Sequence, residues 1–443
     1  MNNNTQQIAN FVAGLHRRSL PPEVSNAARL CLADWLGVAM GALGEPAGRA
    51  VYDACAGTIG RGRSTLLAGG RADALTAALC NGTLAHCLDF DDTYVKANTH
   101  TSGPVWAATL ALGEELGASE QDMLHAFVAG FEASARAGYG LGEAITARGW
   151  HCTGIFGRIG AAAAAAALFR LDTEKTLNAL GAAATQAAGL TVSFGTMAKP
   201  FHAGKAAMDG VLAAQLAKNG FEAAQNVLEP GGGLDRALIQ DGSVRICPAD
   251  FSGWEILQNS FKPYAACHLT HPAIEAARAA RSASPGITSV RNISVEVGEL
   301  AMQVTGGKSG EPLTSLEAKF DLKYVVALAL HGRSLSAADF RSPLRVEPDV
   351  IATARRVRVA AGSGLGYASA RLFAELAGAQ PLRVEIPVAK GHPGNPIGWD
   401  DMQEKFFGLV DPDKHSLLDR VRSFGTSSTS GLMEAAAASA SVS

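Results

Sequence analysis

Residues 147–169, ARGWHCTGIFGRIGAAAAAAALF, contain the longest apolar run in the chain and indicate its fold class. The run GAAAAAAALF occupies 160–169 and stops at Arg170, so it is too short to span a membrane. Alanine has the highest helix propensity, and its small side chain allows helix axes to approach closely. These residues therefore predict a helix that packs tightly against other helices.

Helical patterns extend on both sides of this stretch, from residue 5 to about residue 225. Apolar residues recur at helical spacing, and small residues inside the segments favour close packing. Ser119 precedes Glu120 and Asp122, which is typical of an N-cap followed by an acidic first turn. The predicted helical segments are 21–43, 70–90, 103–118, 119–140, 172–190 and 202–221.

The pattern changes after LEPGGGLDRAL at 228–238. Segments beyond this point are valine-rich or alternate between apolar and polar residues, as strands do. The predicted strands are 293–297, 356–361 and 382–391. Residues 315–335 predict a helix between them. Residues 369–378 have helical propensities, but their position suits a hairpin with the strand that follows.

The length of 443 residues favours two domains. We expect a mainly α fold in which residues 1–265, completed by 396–443, form a large all-helical domain. Residues 266–395 are expected to form a smaller α+β domain, because strand and helix patterns are mixed there.

Composition and charge exclude several classes of partner. A net charge of −3 gives no electrostatic support for nucleic-acid binding, and no segment suits a membrane span. The N-terminal residues lack the layout of a signal peptide, and the seven cysteines form no CxxC pair, so we expect a cytoplasmic protein. Charged residues make up only 18% of the chain. A surface with fewer charged side chains than average favours an oligomer, in which part of that surface is buried.

Nucleotide-binding motifs do not occur in the sequence. GYGLGE and GSGLGY have Glu143 and Tyr367 in place of the third glycine of GxGxxG. No GxSxG motif of a serine hydrolase occurs either. We therefore predict that the protein uses no cofactor.

Residues 81–104, NGTLAHCLDFDDTYVKANTHTSGP, concentrate ionisable side chains in an otherwise apolar chain. Asp89, Asp91 and Asp92 lie between His86 and His100. Three interpretations are open: caps of helix ends, a divalent metal site, or an acid/base pocket at a helix-loop-helix corner. The sequence lacks the metal-binding motifs HxH and HExxH and the alternating ligands of a calcium loop. We therefore predict that this stretch binds no metal.

Three other segments place histidines and lysines at predicted helix starts. These residues are His151, Lys199, His202, Lys205, Lys262, His268 and His271. Cations at a helix N-terminus are electrostatically unfavourable unless an anion accompanies them. Histidine moves protons near neutral pH. A solvated face or packed core histidines would explain the same pattern, but together the residues indicate a small polycarboxylate substrate and proton transfer at carbon.

Seven segments resemble the MmgE/PrpD family, in order along nearly the whole chain. They are NGTLAHCLDFDDT, THTSGPVWAATLALGE, RGWHCTGIFGRIGAAAAAA, MAKPFHAGKAA, FKPYAACHLTHPAIEAA, EAKFDLKYVVALAL and VAKGHPGNPIGWDDMQEKF. The family includes 2-methylcitrate dehydratase, cis-aconitate decarboxylase and iminodisuccinate epimerase. The resemblance implies a helical domain built from both chain ends, an α+β lid domain, a pocket between them, a homodimer and no cofactor.

The resemblance also implies roles for individual residues. It assigns catalytic roles to Asp89, His100, His151 and Lys199, and substrate contacts to Thr93 and Lys262. A histidine of the decarboxylase falls on Cys267 here, and the adjacent His268 is predicted to bind substrate instead. A pocket tyrosine that the decarboxylase carries ahead of EAKF is missing. Arg148 is a further candidate for stabilising negative charge on the substrate.

The resemblance favours a cofactor-independent lyase of the 2-methylcitrate dehydratase type. Epimerisation of an amino-dicarboxylate such as iminodisuccinate, or decarboxylation of the cis-aconitate type, would use the same side chains. A metal-dependent hydrolase and a non-catalytic binding protein are the alternatives from other classes.

Overall fold

The computed structural model describes residues 3–290, 292–341, 344–375, 380–426 and 431–437. The fold is mainly α, as predicted, with 57% of the described residues in helices. The chain divides into two compact units, Met1–Ser260 with Met402–Ser443, and Phe261–Asp401. The domain limits that the sequence suggests stay a prediction.

Helices make up most of the first unit, whereas the second unit combines helices with strands. In chain order, the α-helices are α1 (Asn4–Leu15), α2 (Pro22–Gly41), α3 (Pro46–Ala54), α4 (Ala74–Cys87), α5 (Ser102–Leu116), α6 (Glu120–Gly138), α7 (Gly142–Ala147), α8 (Cys152–Leu168), α9 (Thr173–Ala184), α10 (Ala198–Lys218), α11 (Gly233–Leu238), α12 (His271–Ala283), α13 (Glu299–Ala301), α14 (Ser315–Phe320), α15 (Leu322–Leu330), α16 (Pro348–Ala354), α17 (Trp399–Phe407), α18 (Leu417–Arg422) and α19 (Leu432–Ala436). The strands are β1 (Ser64–Thr65), β2 (Arg71–Ala72), β3 (Ile293–Val297), β4 (Val357–Ala361), β5 (Ala370–Ala374) and β6 (Leu382–Ile386).

The alanine-rich helix α8 lies in the core of the first unit, as its composition predicts. It packs against α5, α6, α9 and α10, and residues 161–166 are fully buried. Glycines allow the closest approaches. A Cβ on Gly160 would lie only 2.8 Å from the backbone oxygen of Gly130 on α6, and a Cβ on Gly210 of α10 would collide with Ala161. Small residues therefore set the spacing of these helices.

The second unit contains a four-stranded mixed sheet in the order β4–β3–β5–β6. β3 pairs in parallel with β4, with Ile293 opposite Val357, and antiparallel with β5. β5 and β6 form an antiparallel hairpin, with Ala370 opposite Ile386. The three predicted strands are confirmed, although the last ends at Ile386. The segment 369–378 contributes a strand in its described part, and residues 376–378 lie outside the described residues.

Two elements differ from the sequence-based expectation. The helix predicted at 315–335 is interrupted at Asp321, whose side chain accepts the backbone N–H of Tyr324 at 3.1 Å. Aspartate competes poorly for a helix interior but caps a helix well, so α15 starts anew there. The first unit is also not entirely helical, because β1 and β2 form a short antiparallel pair with Ser64 opposite Ala72.

Within the described residues, no single helix is both long and apolar enough to cross a membrane. Helices α2 and α3 reach the required length and composition only when they are joined across the 86° bend between them.

A buried ion pair joins α17 to α2 and to the aspartate-rich loop after α4. Lys405 Nζ lies 2.5 Å from Asp34 Oδ1 and 2.7 Å from the backbone oxygen of Phe90. The other Asp34 oxygen accepts the backbone N–H of Asp92 at 2.9 Å. Burial raises the pKa of Asp34, and the Lys405 ammonium opposes this rise. Both side chains are at most 3% exposed, so the pair holds the loop in place with little screening by water.

We expect Lys405→Met to lower the free energy of unfolding by about 3–5 kcal/mol, because the Asp34 carboxylate would stay buried without its cation. Urea unfolding followed by circular dichroism measures this difference. Lys175→Met is the matched control, since Lys175 is exposed in the first turn of α9 and its replacement should change stability by about 0.5 kcal/mol or less. Equal losses in the two variants would contradict a structural role for the buried pair.

Candidate active site

The chain turns sharply after α4 ends at Cys87. Asp89 has a φ of 51°, a left-handed conformation that is uncommon outside glycine and that often marks functional sites. Because α4 stops before Asp89, His86 and Asp89 do not share a helix face. The turn instead places Asp89 and Asp91 near the two ring nitrogens of His100.

Asp91 is a buried carboxylate that two imidazoles share. His86 Nδ1 lies 3.0 and 2.9 Å from its oxygens, and His100 Nδ1 lies 3.2 Å from Oδ2. Burial would raise the pKa of Asp91, but His100 and His86 hold it well below its ordinary value. Burial also lowers the pKa of His86 to about 4, although Asp91 opposes this shift. The ionised Asp91 therefore favours a neutral His86 that donates from Nδ1.

Lys199, in the first turn of α10, forms an ion pair with Asp89. The Nζ lies 2.7 Å from Asp89 Oδ1, and His100 Nε2 lies 3.8 Å from the same oxygen. These three side chains are each 13% exposed, whereas Asp91 is 1% exposed. The carboxylate nearer to His100 is therefore Asp91 rather than Asp89. Asp89 instead holds the ammonium group of Lys199.

His151 is the N-cap residue of α8 and is almost fully buried. Its backbone N–H donates to Gly189 at 3.0 Å, and its ring stacks on His86 with the centroids 5.8 Å apart. Its Nδ1 lies 3.0 Å from Nδ1 of His202. Burial lowers the pKa of His151 well below its ordinary value, and His86 and Lys199 act in the same direction. His151 is therefore a neutral imidazole at neutral pH.

The structure thus brings together all four residues that were predicted to be catalytic, Asp89, His100, His151 and Lys199. We call these residues, together with His86 and Asp91, the acid/base cluster. Its members come from α4, the loop after it, α8 and α10. Their roles stay a prediction.

Two predicted substrate contacts of the first unit have different surroundings. Thr93 is buried and pairs through its backbone with Ser260, at N–O distances of 2.8 and 3.0 Å. Its hydroxyl has no hydrogen-bond partner in the part of the chain that the structure describes, as expected for a group that binds water or ligand. The Arg148 guanidinium is paired with Asp241 and donates to Ser243 Oγ at 2.9 Å. A substrate role for Arg148 would require it to leave these partners.

Lys262 and His268 belong to the second unit, and both are buried. The His268 ring contacts Tyr367 and His271, with centroids 5.4 and 4.9 Å apart. Cys267, which occupies the position of the decarboxylase histidine, is also buried. The assignment of Lys262 and His268 to substrate binding stays a prediction.

The acid/base cluster could also hold a divalent cation. His86, Asp89, Asp91 and His100 each offer a donor atom, and these atoms all lie within 4.8 Å of one another. Imidazole and carboxylate donors suit zinc or manganese. However, the Lys199 ammonium already pairs with Asp89, and a dication there would repel it. The donor set therefore fits a metal only if Lys199 moves away, so we assign no reaction step to a metal.

Sequence reasoning left three residues of this site without a role: His86, Asp91 and His202. His86 and Asp91 were visible as parts of one polar stretch, but their pairing depends on the turn at Asp89, for which the sequence carried no signal. His202 shares a segment with Lys199, yet its contact with His151 joins two segments that are 51 residues apart.

Comparison with known families identifies both parts of the chain. The model for the MmgE/PrpD N-terminal domain matches residues 6–246, and that for the MmgE/PrpD C-terminal domain matches residues 264–416. The chain belongs to the MmgE/PrpD family. The resemblance inferred from the sequence motifs is thereby confirmed.

Similar members of the MmgE/PrpD family are named cis-aconitate decarboxylase. The protein of Aspergillus terreus is 26% identical over 349 residues, which cover 74% of this chain and 71% of the relative. The human protein is 34% identical over 213 residues, or 46% of this chain and 44% of the relative. The mouse protein is 29% identical over 296 residues, or 64% and 60% of the two chains.

We expect Asp91→Asn to lower the free energy of unfolding by about 3 kcal/mol at pH 7, because the buried His86 and the nearby His100 lose their charged partner. The folded-state pKa of Asp91 lies below its unfolded value, so the wild type gains this stability above the unfolded pKa. The difference between wild type and variant should therefore be full at pH 6–7 and shrink as the pH falls below about 4. Urea unfolding across this range measures it.

Asp53→Asn is the control for this titration, because Asp53 is an exposed carboxylate in α3. Its stability difference from the wild type should stay small at every pH. A difference for Asp91→Asn that does not vary with pH would contradict an ionised Asp91 in the folded state.

Proposed function

We propose that this member of the MmgE/PrpD family is a cofactor-independent lyase. It moves a proton at a carbon next to a carboxylate of a small di- or tricarboxylate. The observation that carries the proposal is the combination of a neutral buried His151 with the Lys199–Asp89 ion pair and the His100–Asp91 pair. A base, a cation and a second imidazole are thereby available to one substrate. The names of the relatives, which are carboxylate lyases, support the same class of reaction.

Lys199 supplies the charge that the reaction requires. Removal of a proton next to a carboxylate builds negative charge on the carboxylate oxygens, and a fixed ammonium stabilises this charge more in the transition state than in the substrate. A substrate carboxylate would share Lys199 with Asp89, whose 2.7 Å contact holds the ammonium in place. The buried hydroxyl of Thr93 is a second donor for the substrate.

The two imidazoles have complementary surroundings. His151 is buried among other imidazoles and near Lys199, which keeps it neutral and able to accept a proton. The ring nitrogens of His100 lie near Asp91 and Asp89, and these carboxylates orient the ring for proton transfer. In a dehydration, His151 takes the carbon proton and the electron pair is held on the substrate carboxylate as an enolate. The pair then forms the double bond as the carbon–oxygen bond breaks, and the hydroxyl leaves as water with a proton from His100.

Elimination of water, as by 2-methylcitrate dehydratase, is the reaction that we favour. Decarboxylation of the cis-aconitate type is the second candidate, because the relatives bear that name. In that reaction carbon dioxide leaves, the electron pair stays on carbon, and an imidazolium protonates it. The Cys267 position and the missing tyrosine count against decarboxylation. Epimerisation of an amino-dicarboxylate would require two proton carriers on opposite faces of one substrate carbon.

Two other classes make different predictions. A metal-dependent hydrolase built on the acid/base cluster would lose its activity upon exhaustive chelation, whereas the proposed lyase keeps it. A binding protein would hold a polycarboxylate without exchanging its α-protons with deuterated water. We also expect a cytoplasmic homodimer, which stays a prediction.

Proton NMR in deuterated water with a panel of citrate-like, cis-aconitate-like and amino-dicarboxylate compounds tests the reaction directly. We expect elimination or decarboxylation of at least one tricarboxylate.

His151→Gln should lower kcat by about 10²–10⁴-fold without loss of fold, because it removes the proton acceptor. Since the pKa of His151 is lowered, the loss of kcat/KM at acid pH should set in below the ordinary imidazole pKa of about 6.5. His125→Gln on α6 is the control, as His125 is not part of the acid/base cluster. Full turnover by His151→Gln would contradict this role.

We expect Lys199→Ala to weaken the binding of a tricarboxylate by about 10- to 100-fold, since it removes a charged hydrogen bond to the substrate. Titration calorimetry measures the dissociation constant. Lys218→Ala, at the other end of the same helix, should bind like the wild type. Equal affinities for all three proteins would place the substrate elsewhere.

A further inference from the structure

A contact between two histidine rings is not explained by the roles assigned so far. The Nδ1 atoms of His151 and His202 lie 3.0 Å apart, and the ring centroids lie 5.2 Å apart. Two nitrogens at this distance form a hydrogen bond only if one carries a proton and the other offers a lone pair. The two neutral rings therefore carry their protons on different nitrogens, one on Nδ1 and the other on Nε2. The ring that is protonated on Nδ1 has its lone pair on Nε2.

The surroundings of His202 favour its neutral form. Burial lowers the pKa of His202 to about 4, and the nearby Arg158 acts in the same direction. Arg158 is itself held in place, with Nε 2.8 Å from Asp209 Oδ2 and a terminal nitrogen 2.9 Å from the backbone oxygen of Ala188. A fixed cation beside His202 disfavours its imidazolium. His202 therefore stays neutral and keeps a lone pair available.

The backbone holds both rings close together. Gly189 accepts the backbone N–H of His151, and its φ of +124° is one that side chains rarely adopt. A Cβ at this position would lie 3.3 Å from His202 Nδ1 and 3.4 Å from His151 Cβ. Glycine thus lets the chain pass tightly against the contact, and the contact joins the N-terminus of α8 to the first turn of α10.

We propose that His202 is a positioning residue that accepts the Nδ1–H of His151 and thereby leaves the His151 Nε2 lone pair free to take the substrate proton. This inference rests on the function proposed above, in which His151 is the proton acceptor. When Nε2 takes the proton, the new imidazolium keeps its Nδ1–H bond to His202. No proton has to leave the pair during this step, so His202 orients and stabilises the base without touching the substrate.

Nitrogen-15 NMR of the protein labelled at the histidine rings tests the proposal without requiring turnover. Two-bond correlations between ring nitrogens and carbon-bound protons distinguish the Nδ1–H tautomer from the Nε2–H tautomer. The His151 signals are identified by their loss in His151→Gln. In the wild type we expect His151 as the Nδ1–H tautomer. Finding it as the Nε2–H tautomer would overturn the proposal, whatever the substrate proves to be.

Two variants separate orientation from packing. His202→Phe keeps a ring of similar size but removes the acceptor, and we expect mixed His151 tautomers and a kcat lower by about 10- to 100-fold with a nearly unchanged KM. His202→Asn places a carboxamide oxygen near the former Nδ1, and should restore the Nδ1–H tautomer and most of kcat. An Nδ1–H tautomer that persists in His202→Phe would refute the role of His202. A single Nδ1–H tautomer in a wild type that turns over none of the panel would refute the function but not the contact.

Discussion

The chemistry of this protein depends on one buried carboxylate, Asp91, that serves two imidazoles at once. An ionised carboxylate is stable in a protein interior only when hydrogen-bond donors surround it. Here the donor is His86, whose Nδ1 lies 2.9 Å away, and the His100 ring lies at 3.2 Å. The contact places the proton of the His86 ring on Nδ1. The neighbouring carboxylate, Asp89, pairs with Lys199 at the more exposed side of the cluster.

The scaffold around Asp91 explains why such a cluster can persist. The loop that carries it is tied down by the Asp34–Lys405 ion pair, whose members come from α2 and from α17 near the other end of the chain. The imidazole opposite the loop sits at the N-terminus of α8, and the lysine sits at that of α10. Glycine and alanine let these two helices lie close together. Tight packing of small residues thus brings polar side chains from distant segments of the chain together in one site.

Much of this organisation could be predicted from the sequence. Helical spacing and alanine content predicted the core helices, because burial and propensity act locally. The motifs also identified Asp89, His100, His151 and Lys199 as one set. What the sequence could not provide was the pairing of charges. The left-handed turn at Asp89 decides that Asp91 rather than Asp89 lies nearer to His100, and non-glycine turns of this kind have weak local signals. The contact between His151 and His202 likewise depends on how α8 packs on α10.

The most direct test of the account is a crystal structure with an unreactive tricarboxylate, such as tricarballylate, bound to the protein. The account predicts one ligand carboxylate within hydrogen-bond distance of Lys199 Nζ, and a ligand carbon facing Nε2 of His151. A ligand bound away from the acid/base cluster, with the Lys199–Asp89 contact unchanged, would contradict it.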